Sequence, residues 1–252
     1  MYRSGNPALN DLTFEKSAYK EVSWWEDSES NLMSMNGVVD KTALLLTIVT
    51  LTAIAVYLTV PISLFLSLLG AIVGFVVALI IIFSGSMNPI LICTYAACQG
   101  LFLGGITWII EYQYNAPGLG IVAAVLTFLI LGVMLSIYRA GLISWNKNMQ
   151  IAVTSSMVAI LLIYLVSFIG SFVGFEVPLI HGNGAVGIAF SVFVVGIASL
   201  CLVADFDFIE RGVERGAPKQ LEWRAAFGLL VTLIWLYLEI LKLLAKLVAS
   251  NR

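Results

Sequence analysis

Seven long apolar stretches dominate this 252-residue sequence, and they constrain its fold more than any other feature. Between Thr42 and Val203 the charged and histidine side chains are Glu111, Arg139, Lys147, Glu176 and His181. Crossing a bilayer takes roughly 20 apolar residues. With 60% hydrophobic and 11% charged residues, the chain has too little polar surface to cover a soluble core. The sequence therefore predicts an all-α polytopic membrane protein and excludes a large soluble catalytic domain.

Polar turns divide the apolar region into spans. Asn88-Pro89 is a typical turn start, with proline suited to the first position of a helix. The predicted spans lie at about 42–60, 62–83, 89–112, 118–138, 149–173, 185–205 and 225–247. Residues 1–41 mix acids and bases and lack the order of a signal peptide, so we expect a cytoplasmic arm. The predicted organisation is this arm followed by a seven-helix transmembrane domain over residues 42–252.

The basic residues indicate how the bundle is oriented. Ten of the thirteen lysines and arginines fall in the arm or in the loops at 139–149 and 210–224. Loops near Pro61, Asn115 and His181 carry none. The positive-inside rule therefore predicts a cytoplasmic amino terminus. The side of the carboxyl terminus stays open, because a re-entrant last helix would reverse it.

Several residue types favour structural roles over chemical ones. Cys93, Cys98 and Cys201 lie in apolar runs and are read as small buried hydrophobes. The pair Gly70 and Gly74 predicts close helix packing. The sequence has neither a His-x-x-x-His zinc motif nor a Gly-x-Ser-x-Gly elbow, P-loop or Cys-x-x-Cys pair. Basic patches interleaved with aromatics are also missing, so we expect neither an enzyme nor a nucleic-acid binder.

Acidic side chains near the last two spans are the best candidates for function. Asp205 and Asp207 end the sixth span, and a helix separates them by about 200°, so one is expected inside and the other at the interface. Glu239 lies among large apolar residues of the seventh span. A buried acid there costs several kcal/mol unless paired, hydrated or protonated. The structural alternative is an ion pair between Glu239 and Lys242 at i and i+3.

Asp205 and Glu239 have a distinct chemistry if they face each other across adjacent helices. Two close carboxylates in a dry setting share one proton, because both cannot ionise cheaply. Raising the pH removes that proton, and Ca²⁺ can replace it because calcium prefers oxygen ligands. Two carboxylates are too few for a tight cage. The pair therefore predicts a pH-sensitive switch with weak calcium binding and no tightly held cofactor.

At these residues the sequence resembles the Bax inhibitor-1 family. Asp205 and Asp207 stand at the aspartate and glutamine of the family's motif after helix six, and Leu236–Ile240 is similar to its Leu-Tyr-Leu-Asp-Ile segment. Asn88-Pro89 with Gln99–Gly104 resembles its third helix. Residues 6–9 and 216–241 are similar to the bacterial YccA-like branch.

The resemblance implies a seven-helix bundle with the last helix central and a pH-dependent calcium leak gated by Asp205 and Glu239. Asp207, Lys242 and Gln99 are expected to support that pair. The sequence departs from the family in having Glu239 for an aspartate, Gln99 for a glutamate and no counterpart of a latching arginine. The expected location is the bacterial inner membrane, with the lipid bilayer and calcium ions as partners.

A second hypothesis is a membrane regulator that binds another membrane protein. The YccA-like resemblance implies a quality-control protease as the partner, and the exposed arm at residues 1–41 is the feature that favours this role. Deleting residues 1–36 is expected to abolish capture of the partner. Loss of calcium flux on changing Asp205 and Glu239 would favour the leak.

Overall fold

The computed structural model describes residues 31–59, 64–171, 182 and 184–250. Within these ranges the chain forms seven α-helices, each long and apolar enough to cross a membrane. They are α1 (Met35–Leu58), α2 (Leu64–Ser84), α3 (Pro89–Gln113), α4 (Leu119–Arg139), α5 (Lys147–Ser171), α6 (Ala185–Glu214) and α7 (Leu221–Ser250). The predicted all-α, seven-helix class is confirmed. The arm up to residue 30 and the loop around Glu176 and His181 lie outside the described residues.

Helix α1 begins at Met35, ahead of the span predicted to start at Thr42. Ser34 adopts an extended conformation at the N-cap, and its hydroxyl accepts a hydrogen bond from the Gly37 N–H at 3.0 Å. Serine at this position satisfies one of the helix's unpaired N–H groups. Asp40 and Lys41, assigned to the arm by the sequence analysis, therefore lie on the first helix.

The charged stretch from Arg211 to Arg224 is not a loop. Helix α6 continues to Glu214, and α7 begins at Leu221, so the connection is residues 215–220 alone. Gly216, with φ of 65°, supplies a left-handed turn near its start. The backbone hydrogen bonds of α6 and α7 continue through polar residues, so hydropathy underestimated the length of both helices. Asp205 consequently lies well inside α6.

The chain divides into two units, Met1–Trp108 with Asp205–Val231 and Ile109–Ala204 with Thr232–Arg252. In the first unit, glycines bring α3 close to α1 and α2. A Cβ on Gly104 would lie 2.4 Å from the carbonyl oxygen of Ala53, and one on Gly70 would lie 2.6 Å from that of Cys98. The packing role predicted for glycines such as Gly70 is confirmed.

The segment before α1 is also part of the first unit. The Met33 N–H donates to the Ala217 carbonyl at 2.6 Å, and the Lys219 N–H donates to the Asn31 carbonyl at 2.8 Å. Met33 is buried in an apolar cluster with Ile209 and Leu221. The start of α1 is therefore fixed to the connection between α6 and α7.

In the second unit, α4 begins where α3 ends. Glu111 is buried, and its Oε1 accepts a hydrogen bond from the Gly120 N–H at 2.8 Å, in the first turn of α4. A carboxylate stabilises this positive end of the helix dipole. An apolar cluster packs α5 against α6, with Val153, Ile160 and Cys201 among its members.

Burial differs sharply among the seven helices. In the most apolar 18-residue segment of α7, 61% of the residues are buried, against 17% in the corresponding segments of α4 and α5. Large hydrophobic side chains such as Phe83 on α2 and Leu161 on α5 are exposed. Apolar exposure on this scale is stable in lipid and costly in water. Together with the seven apolar helices, it identifies an integral membrane protein in contact with the bilayer.

Candidate functional site

Asp205 is completely buried in α6, at 0% exposure. It lies in a stretch of buried residues that includes Leu202, Val203 and Ala204. Asp207, two residues further on, is half-buried. Asp205 is therefore the fully buried member of the two, and Asp207 is the partly exposed one.

Asp207 is held by its own helix. Its carboxylate forms an ion pair with Arg211, one turn later, and the Arg211 Nε–H donates to the Asp207 carbonyl at 3.3 Å. Both side chains retain contact with solvent, at 16% exposure for Asp207 and 28% for Arg211. Residues at i and i+4 are neighbours on a helix surface, so this is a local pair.

Glu239 is buried in α7, at 1% exposure, and three donors surround its carboxylate. The Tyr164 hydroxyl donates to Oε2 at 2.8 Å. The Trp235 indole N–H and the Lys242 ammonium donate to Oε1 at 3.2 and 3.0 Å. The alternative of an i,i+3 ion pair with Lys242 is therefore realised, and hydrogen bonds from two aromatic residues accompany it.

Lysines occupy the same face of α7 beyond Glu239. The Lys242 ammonium lies 4.7 Å from the centroid of the Tyr164 ring, within the range of a cation–π contact. Lys246, one turn later, is buried and donates to the Gly187 carbonyl at 3.0 Å and to the Ser191 hydroxyl at 2.8 Å. Two ammonium groups and one carboxylate thus lie along one stripe of the helix.

Gln99 lies half-buried in α3 of the first unit, where it packs against α2. A Cβ on Gly74 would lie 3.2 Å from its Nε2 atom. Asp205 and Asp207 belong to the same unit, whereas Glu239 and Lys242 belong to the second. Gln99 lies against Gly74 and Asp207 pairs with Arg211, both within the first unit, whereas Lys242 contacts Glu239 and Tyr164 within the second. The gating role of Asp205 and Glu239 stays a prediction.

Glu222 is a buried acid that the sequence analysis missed. It is fully buried at the start of α7, where Lys41 forms an ion pair with its Oε2. The Ser34 N–H and hydroxyl donate to its Oε1 at 2.9 and 3.1 Å. Glu222 had been assigned to a charged loop, and its partners lie about 180 positions away. Placing the start of α7 at Leu221 would have put Glu222 on a helix and not in a loop.

A metal site requires several ligating side chains close together. Among the residues that the structure describes, no three histidine, cysteine, aspartate or glutamate side chains come together to hold an ion. Calcium usually takes six to eight oxygen ligands. Waters and backbone carbonyls would therefore supply most of the shell of any transported ion, and calcium at Asp205 and Glu239 stays a prediction.

Seven membrane-length helices with buried acids in the last two define a polytopic integral membrane protein. The family model described as Bax inhibitor 1 like matches residues 6–249. The chain therefore belongs to the Bax inhibitor-1-like family, as the motifs in α3, α6 and α7 indicated. No curated protein sequence matches it.

Proposed function

We propose that this protein is a pH-sensitive cation leak channel, with calcium as the transported ion and Asp205 and Glu239 as the gating residues. The observation that supports it most is the burial of two carboxylates, at 0% and 1% exposure, in helices of membrane-spanning length. Burying an acidic side chain inside a membrane costs free energy, and such residues usually mark ion or proton pathways. The proposed function requires no enzymatic activity.

The gate operates through one proton. In this proposal the two carboxylates share a single proton, which Asp205 carries in the closed state. At low pH, protonated Asp205 carries no charge and the path stays closed. At higher pH the aspartate ionises, attracts cations and draws water into the bundle. Flux is therefore expected to rise with pH.

The test is calcium flux into liposomes containing the purified protein, measured across a range of pH. Asp205→Asn is expected to abolish the pH-dependent flux, and Glu239→Gln is expected to reduce it. Glu210→Gln is the matched control, because it removes one carboxylate at an exposed position of the same helix. Absence of flux at every pH, or unchanged flux in both test variants, would contradict the proposal.

The proposed location is the bacterial inner membrane, with the amino terminus in the cytoplasm. The distribution of lysine and arginine supports this orientation. A protease-sensitive tag placed before Met1 is expected to resist cleavage in intact spheroplasts and to be cut after lysis. Cleavage in intact spheroplasts would reverse the orientation.

A second candidate function is regulation of another membrane protein, such as a quality-control protease. The observation that favours it is the attachment of residues 31–33 to the connection at 217–219. This attachment fixes the position of the residues just before α1. Deletion must stop at residue 30, because Met33 and Ser34 belong to the fold. Loss of crosslinking to the protease on deleting residues 1–30, in a protein that passes no calcium at any pH, would support this function over the leak.

A further inference from the structure

We infer that the Lys242 ammonium is a tethered counter-ion that competes with transported cations for the Glu239 carboxylate. The inference rests on the proposed function, since it concerns the same gating residue. It assigns Lys242 a role in setting cation affinity, beyond that of a stabilising ion pair.

The contacts place the ammonium where an incoming cation would bind. Lys242 Nζ lies 3.0 Å from Glu239 Oε1, and it also lies over the Tyr164 ring. Oε2 is taken by the Tyr164 hydroxyl, and Oε1 is shared with Trp235. A second positive charge at this carboxylate would be repelled by the first. A cation must therefore displace Lys242 to use the full charge of Glu239.

The two partners differ in exposure, which makes displacement possible. The Glu239 side chain is 2% exposed, whereas that of Lys242 is 44% exposed. The long lysine stem lets its charged head move toward water while the apolar part stays in place. Lys242 can thus give up the carboxylate to an incoming cation without becoming a buried, unpaired charge itself.

Lys246 is not the competing group. Although it shares the same face of α7, its ammonium is buried and binds the Gly187 carbonyl and the Ser191 hydroxyl of α6. Both of these acceptors lie on another helix, which fixes the ammonium in place. The structure therefore distinguishes a partly exposed ammonium at Lys242 from a buried one at Lys246.

Terbium(III) provides a direct probe, because it binds oxygen ligands as calcium does and is excited by a nearby indole. The Trp235 ring nitrogen lies 3.2 Å from Glu239 Oε1. The full chain in nanodiscs would be titrated with terbium, with tryptophan-sensitised emission as the signal. Emission that persists in Glu239→Gln with Lys242 retained is subtracted as binding elsewhere on the chain.

Lys242→Met is expected to tighten terbium binding at Glu239 by about fivefold or more, the factor that corresponds to an ion pair of about 1 kcal/mol. Lys242→Arg, which keeps the charge, is expected to stay near wild type. Lys147→Met is the control for an equal change in net charge at an exposed position of the same unit. Lys242→Gln replaces the methionine variant if that one does not fold.

Equal affinity in wild type and in both neutral Lys242 variants would overturn the inference, even if the wild type conducts calcium. Tighter binding in Lys242→Met that persists after Glu239→Gln would overturn it as well. Tighter binding that depends on Glu239, in a protein that passes no calcium at any pH, would support the counter-ion and contradict the leak. The binding measurement can therefore reject the counter-ion role, and the flux measurement can reject the leak, independently of each other.

Discussion

Ser34 and Glu222 stand 188 positions apart, yet the Ser34 N–H donates to Glu222 Oε1 at 2.9 Å. The same serine hydroxyl caps α1 and also binds this carboxylate. Lys41, on the next turns of α1, pairs with the other carboxylate oxygen. One acid therefore joins the start of the first helix to the start of the last, and it does so within the first unit.

Glu222→Gln is expected to destabilise the protein by about 3 kcal/mol, because it leaves the largely buried Lys41 ammonium without its counter-charge. Unfolding in detergent, followed by circular dichroism, would measure the change. Adding Lys41→Met should recover much of the loss, since removing both charges is often nearly neutral. Glu214→Gln, at the exposed end of α6, is the control and should have little effect. Equal losses in Glu222→Gln and Glu214→Gln would argue against a specific ion pair.

Gly104→Ala is expected to destabilise the first unit by about 1–3 kcal/mol through overpacking, since its new Cβ would lie 2.4 Å from the Ala53 carbonyl oxygen. Backbone cannot move aside as a flexible side chain can. Gly132→Ala is the matched control, because it also lies inside a helix and a Cβ there meets nothing within 4 Å. Thermal unfolding of the two variants should separate them, with Gly132→Ala at or above wild type. A similar loss in both would show that helix approach at α3 tolerates a methyl group.

Glu111→Ala is expected to cost about 1–2 kcal/mol, because the Gly120 N–H in the first turn of α4 loses its acceptor and the helix loses an anion at its positive end. Glu111→Gln should cost less, since an amide oxygen still accepts the hydrogen bond. The measurement is the free energy of unfolding for both variants. If the glutamine variant lost as much as the alanine variant, the charge rather than the hydrogen bond would carry the effect.

The fold was predictable because one simple quantity, the length of each apolar stretch, determines which segments cross a membrane. All seven helices lie where the apolar stretches predicted them. Errors arose at the polar ends, where α1 begins seven residues early, at Met35, and α6 runs on to Glu214. Hydropathy measures how strongly a segment prefers lipid to water, whereas a helix ends where its backbone hydrogen bonds end.

The candidate site was predictable only in part. Spacing along one helix revealed the Glu239–Lys242 pair, since residues three apart share a face. The contact between Tyr164 and Glu239 spans 75 positions, and the one between Lys41 and Glu222 spans 181. A single sequence contains no signal for such distant pairs. Glu239 could be found from its apolar surroundings in the sequence, but Glu222 and the distant partners of both acids required the packed structure.

Tyr164→Phe tests how Glu239 is held, because it removes the hydroxyl that donates to Oε2 and keeps the ring beneath Lys242. A hydrogen bond to a charged group contributes about 1.5–3 kcal/mol, so a loss of that size in unfolding free energy is expected. Combining Tyr164→Phe with Glu239→Gln should give a smaller loss than the sum of the two single changes, because both remove the same contact. Tyr114→Phe, which follows α3, is the control for loss of a tyrosine hydroxyl and should stay near wild type. Additive losses in the double variant would mean that the hydroxyl contributes independently of the Glu239 carboxylate.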